Sequence, residues 1–398
     1  MIEAIRRQYN SQFSEKKYAA FLADLNQTFG HNITFRVAEC PIFVGQAFKH
    51  KLVDASDQII DFLVRDDFKS LTQKAIPQNL FVPNETEHTL FLALDFAIVK
   101  NQTGALEPQL IEMQGFPSLF GFQDFVATKY QEHFYCPDGF NNHFGLSKEQ
   151  YQSELKAILL NGHNPENVIL LEIDPLKQNT AIDFIITEKI TGVAPVDIGD
   201  VKREGKNLFY SKNGKNVPIH RIYNRVIFDE LVKRTDLKLN FNLTADVNVE
   251  WAGHPNWFFR ISKYTMPMIK SQYIPVCKFL SEYKSFPDDL ENYVLKPLFS
   301  FSGSGVIFHV QERDLDAIPE EERENYLLQR KIQYEPVIQA PDGKVKAEIR
   351  LLFIWKEHQL RPMLITNLAR LSRGEMIGVK FNKDKTWVGG SVCFFEPD

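Results

Sequence analysis

Residues 167–200 restrict the possible folds more than any other stretch of the sequence. "NVILLEID" is a nearly continuous apolar strand, "NTAIDFIITEKITG" is a helix closed by a glycine, and "VAPVDIGD" is a second strand. A strand, a helix and a strand at this spacing form a βαβ unit, and such a unit requires a parallel sheet. Before it, "SKEQYQSELKAILLNG" reads as a helix ended by Gly162. After it, "VKREGKNLFYSKNGKNVPIHRIYNRVIF" reads as a β-meander that leads back to the sheet. Residues 151–250 are therefore expected to be a compact α/β domain.

The flanking parts follow a different pattern. Residues 1–150 open with the polar amphipathic helix "MIEAIRRQYNSQFSEKKYAAFL" and then turn to strands. "TLFLALDFAIVK", the turn "GALEPQ" and the start of "LIEMQGFPSLFGF" predict a hairpin. Leu94 and Phe96 flank Asp95 on its first strand, while Glu112 and Gln114, two residues apart, share a face of the second. From about residue 251 a mixed loop-and-helix stretch leads to "VLKPLFSFSGSGVIFHV", two apolar strands around a Ser/Gly turn. An acidic helix, "DLDAIPEEERENY", follows. "LLQRKIQY", "KVKAEIRLLFIW", "LRPMLITNLARLSRG" and "WVGGSVCFF" then predict an antiparallel sheet. The expected class is α/β in the α+β sense.

Composition narrows the functional classes. The 398 residues suffice for two or three domains, and a net charge of −5 gives no electrostatic basis for a nucleic-acid or anionic-membrane partner. The 33 phenylalanines imply thick aromatic cores or a flat stacking pocket. Cys40, Cys136, Cys277 and Cys393 are far apart with no CxxC pair, which argues against zinc and for a reduced cytoplasm. The first residues lack a signal peptide's long apolar middle, and no apolar run reaches membrane-spanning length. A cytoplasmic protein is expected.

The Ser/Gly turn carries the chemical question. Neither GxxxxGK[ST] nor a strand-to-helix GxGxxG occurs, so the two common phosphate loops are unsupported. A turn between two strands is either a plain hairpin or a flap that lays backbone amides over phosphate. A flap would use Ser302, Gly303, Ser304 and Gly305, with Lys296 on the preceding strand as a point charge. Downstream, Gln329 offers an exposed amide to an adenine edge beside Lys331, and Glu335 offers oxygens to ribose hydroxyls. Glu348 and Arg350 share one strand face, and Arg370 lies in "NLARLSRG". An arginine fork on a strand suits bidentate phosphate contact.

Taken together, Lys296 with its flap, the Gln329 strand, "EIR" and "ARLSRG…WVGG" resemble the ATP-grasp superfamily of carboxylate–amine ligases, most closely its glutathione synthetase branch. That pattern normally continues into "G-x-D" and "E-x-N" strands that hold magnesium. Here it stops, and "ALDFAIVKNQTGALEPQLIEMQGFPSLFG" near the start looks like the missing segment. The order is similar to circularly permuted ATP-grasp proteins such as the glutathionylspermidine-synthetase-like group. The resemblance implies antiparallel nucleotide-binding subdomains in residues 1–150 and 251–398, the flap subdomain covering about 251–328. Residues 151–250 would be the small pre-ATP-grasp-like domain.

It further implies ATP and Mg²⁺. Asp95, Glu112 and Gln114 would be oxygen donors to the metal, Gln114 standing where the family has Asn. Lys263 and Lys296 would face the phosphates, with Glu348 in the nucleotide site, and Arg350 and Arg370 would hold the transferred γ-phosphate or an acyl phosphate. Asn224 and Arg225 would meet the acceptor substrate. The plain alternatives are a polar hairpin face, surface ion pairs and structural networks, and His254 and Trp257 read as a loop anchor and a core aromatic. The expected activity is an ADP-forming ligation of a small-molecule or peptide carboxylate to an amine. The alternatives are a nucleotide-binding homologue without turnover and an α/β protein that binds no nucleotide.

Overall fold

The computed structural model describes residues 1–299, 305–374, 377, 382 and 384–398. Its centre is an antiparallel sheet built from both ends of the chain. The strands run in the order Gly389–Ser391, Met363–Ser372, Gly343–Ile354, Phe91–Lys100, Leu106–Gln114, with Ile338–Ala340 paired to one end of the Gly343 strand. The early hairpin thus joins the late strands, and Asp95 lies opposite Arg350 on one side and Glu112 on the other.

Period-two alternation explains why this sheet has two unlike faces. Leu92, Leu94, Phe96 and Ile98, with Val345, Ala347, Ile349, Leu351 and Phe353, face one way into the largest core. Helices Glu3–Gln12, Glu15–Thr28, Gln46–Leu63 and Phe120–His133 supply the opposing apolar surface. Ser14 caps the second helix through its side chain, so the expected first helix is two. The opposite face carries Asp95, Glu348, Arg350 and Arg370. The small Ala93 and Ala97 flank Asp95 there, leaving room for long side chains above the strand.

That second face is closed at one end by the parallel domain. Phe91, Ala93, Leu352 and Ile354 pack with Tyr151, Leu155, Val168, Leu170, Phe184 and Tyr223 in a separate core. The βαβ unit forms as expected: Val168–Glu172 pairs in parallel with Ala194–Asp197, and helix Ala181–Thr191 ends on Gly192 at φ +81°. Arg221–Asn224 and Glu250–Trp251 extend this sheet. The preceding helix, Lys148–Leu160, starts on a Ser147–Gln150 capping box and stops at the left-handed Asn161, one residue before Gly162.

Glu172 ends the Val168 strand nearly buried, opposite Asp197. Burial pushes its carboxyl up to about 8, against a hydrogen bond from the Ile173 amide and the pull of Arg225, while Glu230 and Asp197 push it further up. The folded protein therefore holds a proton on Glu172 that the unfolded chain releases at ordinary carboxylate pH. Stability should fall as pH rises from about 4.5 to about 8 and level off above. We expect Glu172→Gln to stabilise the protein at pH 8 by on the order of 4 kcal/mol, and to leave stability nearly unchanged at pH 4.5. Equal effects at both pH values would refute a buried neutral carboxyl.

Several expectations are corrected. The turn of the early hairpin is residues 101–105, because "LEPQ" already belongs to the second strand. The stretch after the Ser/Gly turn forms no strand ladder: Tyr293–Pro297 meets it only at the Leu295–Ile307 bridge. Tyr293–Pro297 instead pairs along its length with Tyr326–Arg330, which also takes the short strand Cys277–Phe279 on its other edge. The acidic helix breaks at Pro319 into Glu312–Asp316 and a 3-10 turn, Glu320–Asn325. No helix among the described residues is long and apolar enough to cross a membrane.

Candidate active site on the polar face of the antiparallel sheet

The polar face is organised around Asp95, which is fully buried (0% exposed). Its Oδ1 accepts Arg350 Nε at 2.6 Å, and its Oδ2 accepts Arg350 Nη2 at 2.6 Å and Arg370 Nη2 at 2.7 Å. Arg370 Nη2 also donates to Glu348 Oε1, its cross-strand partner. Burial pushes the Glu348 carboxyl up, Arg370 pulls it down and Asp95 pushes it up again, with a net rise. Two arginines and two acids thus balance one another with little solvent to screen them.

Glu112 sits on the next strand, directly across from Asp95, half-buried, with Gln114 two residues on. A bulge between Asp95 and Phe96 in this pairing leaves Ile111 without an opposite residue. The Ile111 carbonyl accepts Lys296 Nζ at 3.4 Å, and Gln329 Oε1 accepts the same ammonium at 2.9 Å. Burial pushes Lys296 down to about 8; Glu112 raises it and Lys263 lowers it further. Lys263 begins the 3-10 segment Lys263–Met268 and is nearly buried, its ammonium lowered by burial and partly restored by Glu112. Two lysines, both desolvated, thus converge on one glutamate from the small sheet and the segment beside it.

A narrow cleft open to solvent runs between these elements. Glu112, Gln114, Phe116, Lys263, Leu298 and Phe299 line it. Its floor is pinned by Gly115, whose amide donates to the Ile261 carbonyl at 2.9 Å. A Cβ at Gly115 would lie 2.5 Å from the Trp257 carbonyl oxygen, so the close approach admits only glycine.

The remaining sequence candidates divide. Gln329, expected to be exposed, is 1% exposed and serves Lys296, because its strand is the centre of the small sheet. Glu335 pairs with Lys100 at 2.9 Å, its own amide bonded to the Ile98 carbonyl. Lys331 is tied to the Glu291 carbonyl at 2.7 Å and lies 4.5 Å from the Phe308 ring centre. Ser302, Gly303 and Ser304 lie outside the described residues; Gly305 follows them at φ +71°. Asn224 is buried and bonded to Val226 within its own turn. Arg225 donates to the Phe116 and Pro117 carbonyls at 3.3 and 2.9 Å and lies 4.4 Å from the Phe116 ring centre, so it holds the loop that leaves the Gln114 strand. His254 and Trp257 are buried, bonded to the Pro83 carbonyl and the Thr86 hydroxyl.

Sequence reasoning missed two supports. Asp183, on the βαβ helix, accepts the Leu119 and Phe122 amides at 2.9 Å each and caps helix Phe120–His133. Leu119 itself is left-handed, at φ +75°. Between Gln114 and that cap, residues 115–119 are thus held by Arg225 and Asp183 together. An aspartate inside an apolar helix was the available signal. Tyr334, whose hydroxyl lies 3.5 Å from Glu348 Oε2, had no such signal.

The oxygen donors present suit magnesium unequally. Glu112 and Gln114 offer half-buried oxygens at the cleft, as a metal that also binds substrate phosphates requires. Asp95 has both oxygens engaged by guanidinium groups.

No protein-family model matches the chain, and no curated protein matches it. Among solved structures it is similar to a glutathione synthetase-like effector from Globodera pallida in its apo form. The TM-score is 0.58 at 10% identity, over 97% of this chain and 98% of that one. At so low an identity the likeness speaks for the fold alone: this mixed α/β chain has a glutathione synthetase-like fold.

Proposed function

We propose that the protein is a circularly permuted ATP-grasp protein and an ATP- and Mg²⁺-dependent carboxylate–amine ligase. The observation that carries this reading is the meeting of Glu112, from the early hairpin, with Lys263 across one cleft, and with Lys296, whose ammonium reaches the neighbouring Ile111 carbonyl and senses the Glu112 charge, on the strand next to the Asp95–Arg350–Arg370 cluster. The glutathione synthetase-like fold supports it.

In this reading ATP lies between the small sheet and the polar face. Lys263 and Lys296 meet its phosphates, and Glu112 and Gln114 hold the metal, whose contribution is to neutralise charge on the phosphate oxygens. A substrate carboxylate oxygen attacks the γ-phosphorus, the bond to the bridging oxygen breaks, and ADP leaves. The amine nitrogen then attacks the acyl carbon, phosphate departs, and the amine's proton goes to solvent. Arg350 and Arg370 stabilise the negative charge that builds on the transferred group, and the rest is positioning. Arg225, holding residues 116 and 117, shapes the acceptor side.

Thermal shift with ATP and Mg²⁺ tests nucleotide binding, since a ligand of the folded state alone must raise the melting temperature. ADP release with panels of acids and amines tests turnover. The affinity should also carry the titration of Lys296. Its protonated form is the one that attracts phosphate, and about half the free protein has lost that proton near pH 8. Binding should therefore weaken by up to about tenfold per pH unit above 8 and hold steady below 7, and Lys296→Gln should abolish that dependence. A flat profile in the unaltered protein would exclude Lys296 as the phosphate-binding group.

One observation favours a second reading, nucleotide binding without turnover. The arginines that would stabilise the transferred group already spend donors on Asp95 and Glu348. Stabilisation by ATP with no ADP released for any acid–amine pair would select it.

A further inference from the structure

We propose that Asp95 is the anchor of Arg350 and Arg370 and not a magnesium ligand, leaving Glu112 and Gln114 as the protein's whole share of the metal site. The inference rests on the ligase reading for the metal and on geometry alone for the anchor.

An ionised carboxylate has about four lone-pair directions. On Asp95 three are taken by guanidinium N–H groups at 2.6, 2.6 and 2.7 Å, in the fork geometry that makes Arg–carboxylate pairs strong. The carboxylate is walled in by its own strand, by the Gly343 strand that brings Arg350 opposite it, and by the Leu106 strand. A dication at its remaining lone pair would sit beside two guanidinium charges that burial leaves poorly screened. Glu112 is in the opposite situation, on the outer strand, half-buried and lining the cleft, with Lys263 lining it from the other side.

The anchoring has a visible consequence for the arginines. Arg350 is held through Nε and Nη2, which fixes its plane. Arg370 Nη2 is shared between Asp95 and Glu348, while its Nε is buried without an acceptor among the described residues. A buried donor held in place but unused is what a site keeps for a ligand oxygen. Asp95 therefore acts through the arginines as a positioning residue.

The test compares Asp95→Asn, Asp95→Ala, Arg350→Ala, the Asp95→Ala/Arg350→Ala double variant and Glu112→Gln, all first checked for a cooperative melt. Mn²⁺, read by electron paramagnetic resonance in the presence of ADP, serves as the metal probe. The expected result is that Asp95→Asn binds Mn²⁺ within about threefold of the unaltered protein, while Glu112→Gln loses tenfold or more. In ADP release, Asp95→Asn should lower kcat and leave the KM for Mg-ATP nearly unchanged. In melts without ligand, the double variant should be no less stable than the worse single variant, because each single change strands a buried charge that the double removes. Loss of Mn²⁺ in Asp95→Asn as complete as in Glu112→Gln would overturn the proposal, as would additive melting losses in the double variant. If the unaltered protein binds no Mn²⁺ with ADP, the ligase reading falls, and the melts alone decide the anchor.

Discussion

Replacing Arg260 by alanine should destabilise the protein by about 3–5 kcal/mol at pH 7, the cost of removing one partner of a buried ion pair. Arg260 is 2% exposed and lies under the cleft. Its Nε donates to Glu85 Oε1 at 2.7 Å, Nη2 to Gln73 Oε1 at 2.8 Å and to Glu85 Oε2 at 3.1 Å, and Nη1 to the Lys69 carbonyl and the Thr72 hydroxyl at 2.6 and 3.1 Å. Removing it leaves the largely buried Glu85 carboxylate to the Asn256 amide at 2.7 Å and Lys69 at 3.5 Å. Burial tends to raise the Glu85 carboxyl, and the Arg260 and Asn256 bonds together with the Arg260 and Lys69 charges outweigh it, giving a net depression. Its contribution is therefore present above the unfolded carboxylate range and lost as pH falls through it. Chemical denaturation should show the deficit shrinking on acidification toward pH 4, and Glu85→Gln should recover part of it. A deficit below 1 kcal/mol would mean that water reaches this network. Because Arg260 adjoins Ile261, whose carbonyl pins Gly115, the variant should also loosen the cleft floor.

The second large effect falls on function. Lys296→Met keeps most of the apolar stem but removes the ammonium aimed between Ile111 and Gln329. We expect about 10²–10³-fold slower ATP-dependent ADP release, the scale for deleting one preorganised charge-stabilising group. Stability should change little. The buried ammonium is held below its ordinary pKa, so its loss relieves a desolvation cost, while Gln329 loses a partner. A melt within a few degrees of the unaltered protein, together with loss of the ATP-induced shift, is the expected pair of results. Unimpaired nucleotide stabilisation would remove Lys296 from the site.

What the sequence discloses here depends on distance along the chain. Alternation around Asp95, the βαβ unit and the Ser147 start of its preceding helix are local patterns, and each is realised. The exposed amide expected of Gln329 is buried instead, for a reason outside its own stretch of sequence. Tyr293–Pro297 and Cys277–Phe279 cover both sides of its strand, and nothing in "YLLQR" announces two neighbours. The three-residue Cys277 strand was likewise invisible, being too short to show a period. Most of the site's electrostatics was hidden for the same reason. Arg350 shares a strand face with Glu348, yet its partner is Asp95, which only the sheet's long-range register supplies. The roles of Arg225 and Asp183 in holding residues 115–119 also arise between elements.

The strand order of the central sheet bears on how the protein is made. Its middle seam joins Phe91–Ala97 to residues near 350, and the strand Ile42–Val44 pairs with Cys393–Phe395. During synthesis, an apolar hairpin from the first third of the chain must wait beside the ribosome for its partners, its sheet edge open. Such distant closures are slow and leave strands available to other chains meanwhile. Recovery from a cell should therefore improve at lower temperature or with added chaperone.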